Sequence, residues 1–390
     1  MPKTMESGMR NSRRGLVDPF IVMDIVAAAA RKEADGQHII HMEVGQPSTP
    51  APAGARAKLA EELNQSSLGY TVSLGIPELR ERIARLYKDW YGVDLDPERV
   101  IVTSGSSGAF ILAFTALFDD GERLGIGAPG YPSYRQIAKA LDIDPVMIET
   151  QAANRFQPVP SELPADLAGL MVASPANPSG TMLGHDELAA LINACADQGT
   201  AFISDEIYHG IEYEKKAVTA LEVSDDVYVI NSFSKYFSMT GWRVGWMVVP
   251  PDHVRTIERL AQNLFVCAPH AAQVAALHAL DCEDEMQANL QVYRQNRALM
   301  MEGLPKAGFH KIAPPDGAFY IYADVSDLTD DSLSFAAEIL DEAGVAVTPG
   351  LDFDPDRGAG TLRFCYARAT EEIEEGLRRL KRFMSSRGFA

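Results

Sequence analysis

Between residues 100 and 250 the chain repeats one pattern: a short apolar run, a polar or glycine-bearing corner, then an amphipathic stretch. The runs are VIVT (100–103), RLGIGA (123–128), GLMVAS (169–174), AFIS (201–204), VYVINS (227–232) and GWMVVP (245–250). Short, almost wholly apolar runs suit strands buried on both faces. Between most of them lie helix-like segments, SSGAFILAFTALFDD, SYRQIAKALD and GHDELAALINACADQG. The last carries Glu187 in its first turn and stops at Gly199, as a capped helix should. Strands that alternate with helices predict an α/β fold, a mainly parallel sheet covered by helices on both faces. At 390 residues the chain is too long for one ordinary core. The expected division is an N-terminal arm with part of a small domain (1–48), a large domain (49–288) and a small C-terminal α/β domain (289–390). The last begins in a long helix, MQANLQVYRQNRALMMEGL, and continues through GAFYIYADV, LSFAAEILDEAG, VAVTPG and TLRFCYA to a charged final helix.

In such a sheet, ligands bind outside the carboxyl ends of the strands. Five successive run ends read SGSSGA, PGYPSY, PANPSG, DEIY and FSK, which predicts one composite site. TSGSSGAF (103–110) joins a strand to a helix through serines and glycines, either as a plain Ser-capped helix or as a phosphate seat of exposed N–H groups. GIGAPG (125–130), with Glu149 beyond it, matches a dinucleotide fingerprint, but a charged turn, DDGER, stands where a buried strand should precede the first glycine. Pro129 and Pro132 also obstruct the helix start that such a site requires. Asp205 ends a strand, as a helix cap or as a buried carboxylate holding a proton on a heterocyclic nitrogen, and Tyr208 follows it. Lys235 sits among Phe233, Tyr236 and Phe237, with Ser232, Ser234 and Arg243 nearby. It either snorkels to water or is held dry near a cation, which depresses its pKa and makes its amine nucleophilic.

Composition narrows the partners. Acidic residues number 54 against 35 basic ones, a net charge of −19, which disfavours nucleic acid and anionic membranes. Cys195, Cys267, Cys282 and Cys365 are scattered without metal-ligand spacing, so free thiols in a cytoplasmic protein, with no metal site, are expected. No apolar run approaches the length of a membrane span.

Taken together, Tyr70, Gly75, Leu79 and Arg80, then TSGSSGA, PGYPSY, SPANPSG, SDEIY, SFSK with GWRVG, and LRF resemble the class I/II aminotransferases. These fold-type I enzymes use pyridoxal 5′-phosphate (PLP), and the resemblance covers nearly the whole chain. It implies that Lys235 forms the internal Schiff base and shuttles the proton, and that Asp205 pairs with the pyridinium nitrogen. It implies further that Asn177 and Tyr208 bond the phenolic oxygen and that Tyr131 stacks on the ring. The phosphate would be held by the backbone of Ser106 and Ser107 with Ser232 and Arg243. Arg363 would grip the substrate α-carboxylate, Gly45 and Asn177 would line the substrate site, and Tyr70 would reach the phosphate in the other subunit of a homodimer.

The implied activity is ping-pong transfer of an amino group from an amino acid to a 2-oxo acid. A PLP-dependent carbon–sulfur β-lyase uses the same scaffold, and a nicotinamide oxidoreductase built on GIGAPG is an alternative of another class. Bacterial aspartate-type relatives carry a lysine where this chain has Ser107, so neutral or aromatic donors are expected over acidic ones. Arg10, Arg13 and Arg14 are the basic candidates of the N-terminal arm.

Overall fold

The computed structural model describes residues 11–389, so Arg10 lies outside the described residues. Helix α1 (Ile21–Ala34) and strand β1 (Ile40–His41) are followed by α2 (Ala53–Glu62) and α3 (Pro77–Tyr91). The repeating segment is β2 (Val100–Thr103), α4 (Gly105–Leu117), β3 (Arg123–Ala128), α5 (Pro132–Ala140), β4 (Asp144–Glu149), β5 (Gly169–Ala173), α6 (His185–Gln198), β6 (Ala201–Asp205), β7 (Tyr228–Ser232) and β8 (Gly245–Val248). Helices α7 (Val254–Leu264), α8 (His270–Ala279) and α9 (Glu283–Lys306) come next. The chain closes with β9 (Lys311–Ala313), β10 (Tyr320–Asp324), α10 (Ser332–Glu338), β11 (Val345–Ala346), β12 (Thr348–Pro349), β13 (Thr361–Cys365) and α11 (Thr370–Ser386).

Seven strands form the large sheet in the order β2-β8-β7-β6-β5-β3-β4. Its α/β architecture is the one the alternating runs predict. Alternation within each strand buries both faces: Val100, Val102, Val229 and Trp246 point into one apolar cluster, and Ile101, Ile230 and Met247 into the other. Each such side chain stabilises by about 1.5–3 kcal/mol through burial. Strand β4 had no counterpart among the runs, because Ile148 is its one buried residue and it lies at the sheet edge.

Strand β8 departs from the parallel rule, running antiparallel to both β2 and β7. Its first residue, Gly245, therefore lies opposite both Thr103 and Ser232. This reversal brings the segment before β8, with Arg243, to the rim where β2, β3, β5, β6 and β7 end. The approach is close: a Cβ on Gly245 would fall 2.8 Å from the Asn231 carbonyl oxygen and 3.1 Å from the Ser106 nitrogen.

The smaller sheet has the order β12-β13-β10-β9, and β1 pairs in parallel with β11. The N-terminal segment thus folds with the C-terminal part of the chain. Helix α9 runs without a break through the division expected at 288/289.

Candidate active site

Where β2 feeds α4, Ser104 caps the helix without a side-chain hydrogen bond, which leaves N–H groups of the first turn free. Gly105 adopts φ +68°, and a Cβ there would stand 2.5 Å from the Arg243 guanidinium. Arg243, itself at φ +53°, is held over the turn by a 2.9 Å bond to the Thr240 carbonyl. Unpaired N–H groups, the positive end of the helix and a guanidinium converge here. That combination binds anions, phosphate above all. Ser106 and Ser107 line the same cavity of about 190 Å³.

Asp205, at the end of β6, accepts from Tyr134 on one oxygen and from the Ile207 N–H, at 3.0 Å, on the other. Burial nonetheless raises its pKa to about 6. A buried carboxylate under this strain favours a cationic neighbour, such as a protonated ring nitrogen. Tyr208 shares a 2.7 Å hydroxyl contact with Tyr320.

Lys235 follows β7 in a tight turn, and its amine donates to the Gly45 carbonyl at 2.6 Å. Burial pulls its pKa down to about 8, with Arg363 and Arg243 pushing the same way. At pH 7 roughly a tenth of such amines are unprotonated, several hundredfold more than for an exposed lysine. Gly45 has no room for a side chain, since a Cβ would overlap the Tyr320 hydroxyl at 1.8 Å.

Arg363 enters from β13 of the small sheet. Its partners are neutral: Asn177 at 2.8 Å, Thr348 at 3.2 Å and the Glu43 carbonyl. The rings of Tyr320 and Phe353 lie 4.3 and 4.7 Å from its guanidinium carbon. The fork is fixed in place and keeps its charge for a carboxylate ligand.

One cavity thus gathers Gly45, Ser106, Ser107, Tyr131, Asn177, Asp205, Tyr208, Lys235, Arg243 and Arg363. Ser232 is not on its wall: the hydroxyl lies beneath, bonded to the Val244 carbonyl at 3.1 Å and to Ser234 at 2.8 Å, and Ser234 takes the lining position. Tyr70 is 87% exposed and does not reach the cavity of its own chain. Arg14 pairs with Asp142 at 2.5 Å, away from the site. In GIGAPG, Gly125 and Gly127 lie inside β3, so the first two glycines belong to a strand rather than to a phosphate-binding turn.

Sequence reasoning missed Tyr134, Tyr320, Thr240, the α1 N-cap Phe20 and the α1 residues Val22 and Met23, all of which line the cavity. Tyr134 stood in view at a strand corner, in PGYPSY; the others carry no local signal.

Residues 37–380 match the model of the family "Aminotransferase class I and II". A solved structure from Silicibacter pomeroyi, provisionally assigned as an aminotransferase, shares 69% identity and a TM-score of 0.93, covering 97% of this chain and all of that one. The valine–pyruvate aminotransferase of Mycobacterium tuberculosis is 44% identical over 97% of this chain and 99% of its own length. The aspartate aminotransferase of Thermus thermophilus, solved with maleate, matches at 30% identity and a TM-score of 0.89 over 96% of this chain and all of that one. The chain belongs to the class I and II aminotransferases and is an enzyme of amino-group transfer.

Members of this family depend on PLP, and the residues present fit that group. The uncapped α4 turn with Arg243 suits its phosphate, buried Asp205 its ring nitrogen, Asn177 and Tyr208 its phenolic oxygen, and the Lys235 amine its aldehyde.

Proposed function

We propose that the protein is a PLP-dependent aminotransferase that moves an amino group from a neutral or aromatic amino acid to a 2-oxo acid by a ping-pong mechanism. The observation that carries the substrate preference is the cation count of the cavity. Lys235, Arg243 and Arg363 are the cations among the described residues that line it, and the chemistry above uses all three. None is left for a second carboxylate, while Phe20, Val22 and Met23 present an apolar wall. The name of the Mycobacterium tuberculosis relative, a valine–pyruvate enzyme, points the same way.

When bound, PLP supplies a carbonyl carbon for the amino group and an electron-accepting ring. Arg363 fixes the donor through its α-carboxylate, and Asn177 ties that fork to the cofactor side of the cavity. Lys235, released from its bond to Gly45, would take the proton from the donor Cα at Nζ and hold it for return on the far side of the amino nitrogen. Asp205 would keep a positive charge on the ring nitrogen, and Tyr208, held by its contact to Tyr320, would donate to the phenolic oxygen.

The active unit we infer is a homodimer. Tyr70, Val72, Leu264 and Val266 are exposed apolar residues on neighbouring segments, joined by Ser73 to the Val266 carbonyl (2.7 Å) and His270 to the Gly69 carbonyl (2.8 Å). A second copy covering this patch would bring Tyr70 toward the partner's phosphate seat. The four free cysteines support a reducing, cytoplasmic setting.

The test is to load the purified protein with PLP and follow its visible band while amino acids are added singly. Valine, leucine or phenylalanine should bleach the band and release one equivalent of the matching 2-oxo acid. Aspartate acting faster than all of them would sink the substrate preference. Catalytic release of pyruvate and ammonia from cysteine or cystathionine, with no acceptor added, would make the enzyme a lyase.

A further inference from the structure

Helix α1 lines the cavity through Phe20, Val22 and Met23, yet its anchor lies more than three hundred residues away in sequence. Phe20, its N-cap, offers no side-chain acceptor. Asp352 takes over that task. Fully buried, it accepts the Ile21 N–H on one carboxylate oxygen and the Val22 N–H on the other, both at 3.1 Å.

The loop around Asp352 touches two further walls of the site. The Asp352 carbonyl accepts from Arg135 on α5 at 2.8 Å, and the Phe353 carbonyl accepts the Gly130 N–H at 3.0 Å, next to Tyr131. The Phe353 ring packs against the Arg363 guanidinium. Asp354 holds Arg357 at 2.8 Å, and Arg357 donates to the Ala128 carbonyl at 2.6 Å. Phe20 meets the ring of Tyr131 edge-on, with centroids 5.9 Å apart. Loop 350–357 therefore places α1 relative to both the cofactor wall and the carboxylate-binding arginine.

We propose that Asp352 is a positioning residue that sets the size of the substrate side-chain pocket by docking the first turn of α1 over it. The inference rests on the reading that Arg363 holds the α-carboxylate of a neutral amino acid. With the carboxylate at Arg363 and the amine toward Lys235, the side chain is left to meet Phe20, Val22 and Met23. A carboxylate facing two helix N–H groups has no close substitute. An amide keeps one acceptor and turns a donor toward the second N–H.

Asp352→Asn should raise KM for valine or phenylalanine about tenfold with kcat within about twofold, while KM for alanine moves less than twofold. Equal KM increases for alanine and phenylalanine would overturn the proposal, because Asp352 would then be acting on Arg363. Limited proteolysis of the protein without cofactor gives a second readout. Cleavage within residues 12–35 should accelerate about tenfold in the variant while the rest of the chain resists, and unchanged cleavage would also overturn the proposal. Phe20→Ala alters the wall without touching the anchor. It should raise KM for valine, and an unchanged value would show that α1 does not bound the side-chain pocket. Wild-type protein that takes no amino group from neutral donors would sink the functional reading instead, and proteolysis would still decide whether Asp352 docks α1.

Discussion

The rim of the large sheet and the face of the small sheet both send cations into the cavity, but they hold them in opposite ways. Lys235 and Arg243 leave strand ends, and the amine of one and a guanidinium nitrogen of the other each rest on a single backbone carbonyl, Gly45 and Thr240. Arg363 sits in the middle of β13, between two aromatic rings, with three neutral partners. A group that must exchange partners during a reaction belongs at a strand end, where one weak contact is easily replaced. A group that must present one fixed geometry belongs within a strand, where packing locks its rotamer.

Removing Lys235 should produce the largest effect, because nothing else at the rim can act as the mobile amine. Lys235→Ala should lower amino transfer by at least about 10⁴-fold in single-turnover assays. In the wild type, the rate at which added PLP forms its visible band should rise with pH and level off above about 8, where burial leaves the amine unprotonated. A pH-independent rate would mean that Lys235 is not held in the dry state inferred for it.

Asp205 comes next, and it sets stability against function. Its folded pKa is raised, so the stability linked to its protonated form is full below the unfolded value of 3.8 and is lost as pH rises through about 6. That loss amounts to roughly 3 kcal/mol in the cofactor-free protein above pH 6. Asp205→Asn should therefore stabilise the cofactor-free protein at pH 7 while weakening PLP retention, as read by thermal unfolding with and without cofactor. A variant less stable in both states would show that Tyr134 and Ile207 already satisfy the carboxylate.

The two arginines give the sharpest contrast. Arg363→Lys loses a planar fork held between rings and should cost roughly 2 kcal/mol, about thirtyfold in kcat/KM, mainly through KM. Arg243→Lys keeps a point charge near a phosphate seat also built from helix N–H groups, so PLP affinity should fall only severalfold. Equal losses would erase the distinction between strand-end and mid-strand cations.

Much of this arrangement was legible because it depends on local pattern. VIVT and RLGIGA coincide with β2 and β3, and α6 starts with Glu187 bonded to the Gly184 N–H at 2.7 Å and ends at Gly199 with φ +67°. The residues at the run ends converge because parallel strands finish on one side. The antiparallel direction of β8 was not legible, since an apolar run reads alike in either direction. Tyr320, Asp352 and α1 escaped notice for a related reason: they act through contacts with residues far along the chain, and neither spacing nor residue type announces such contacts. Ser232 shows the limit of position alone, because the turn after β7 turns its hydroxyl inward and leaves Ser234 facing the cavity.

The smallest predicted effect concerns what keeps two rim loops in register. His209 follows Tyr208 and is fully enclosed; its Nε2–H donates to the Ser174 carbonyl at 2.9 Å, and its Nδ1 accepts from Tyr91 at 2.6 Å. The tautomer follows from the partners, since a carbonyl can only accept. Burial depresses its pKa to about 3, so the ring stays neutral and both contacts persist at any working pH. Through the first the loop bearing Tyr208 is clasped to the loop bearing Asn177, the two residues proposed for one cofactor oxygen, and through the second it is tied to α3. Glutamine also offers one donor end and one acceptor end, so His209→Gln should leave PLP retention and activity within about twofold of wild type. His209→Ala strands a buried carbonyl and a buried hydroxyl, which should cost about 2 kcal/mol of stability and severalfold in PLP retention. If the alanine variant binds PLP as tightly as the glutamine variant, the clasp stabilises the fold without setting the rim. The Tyr208–Tyr320 and Asn177–Arg363 contacts would then suffice to place those two side chains, and the small sheet would govern the geometry of both walls.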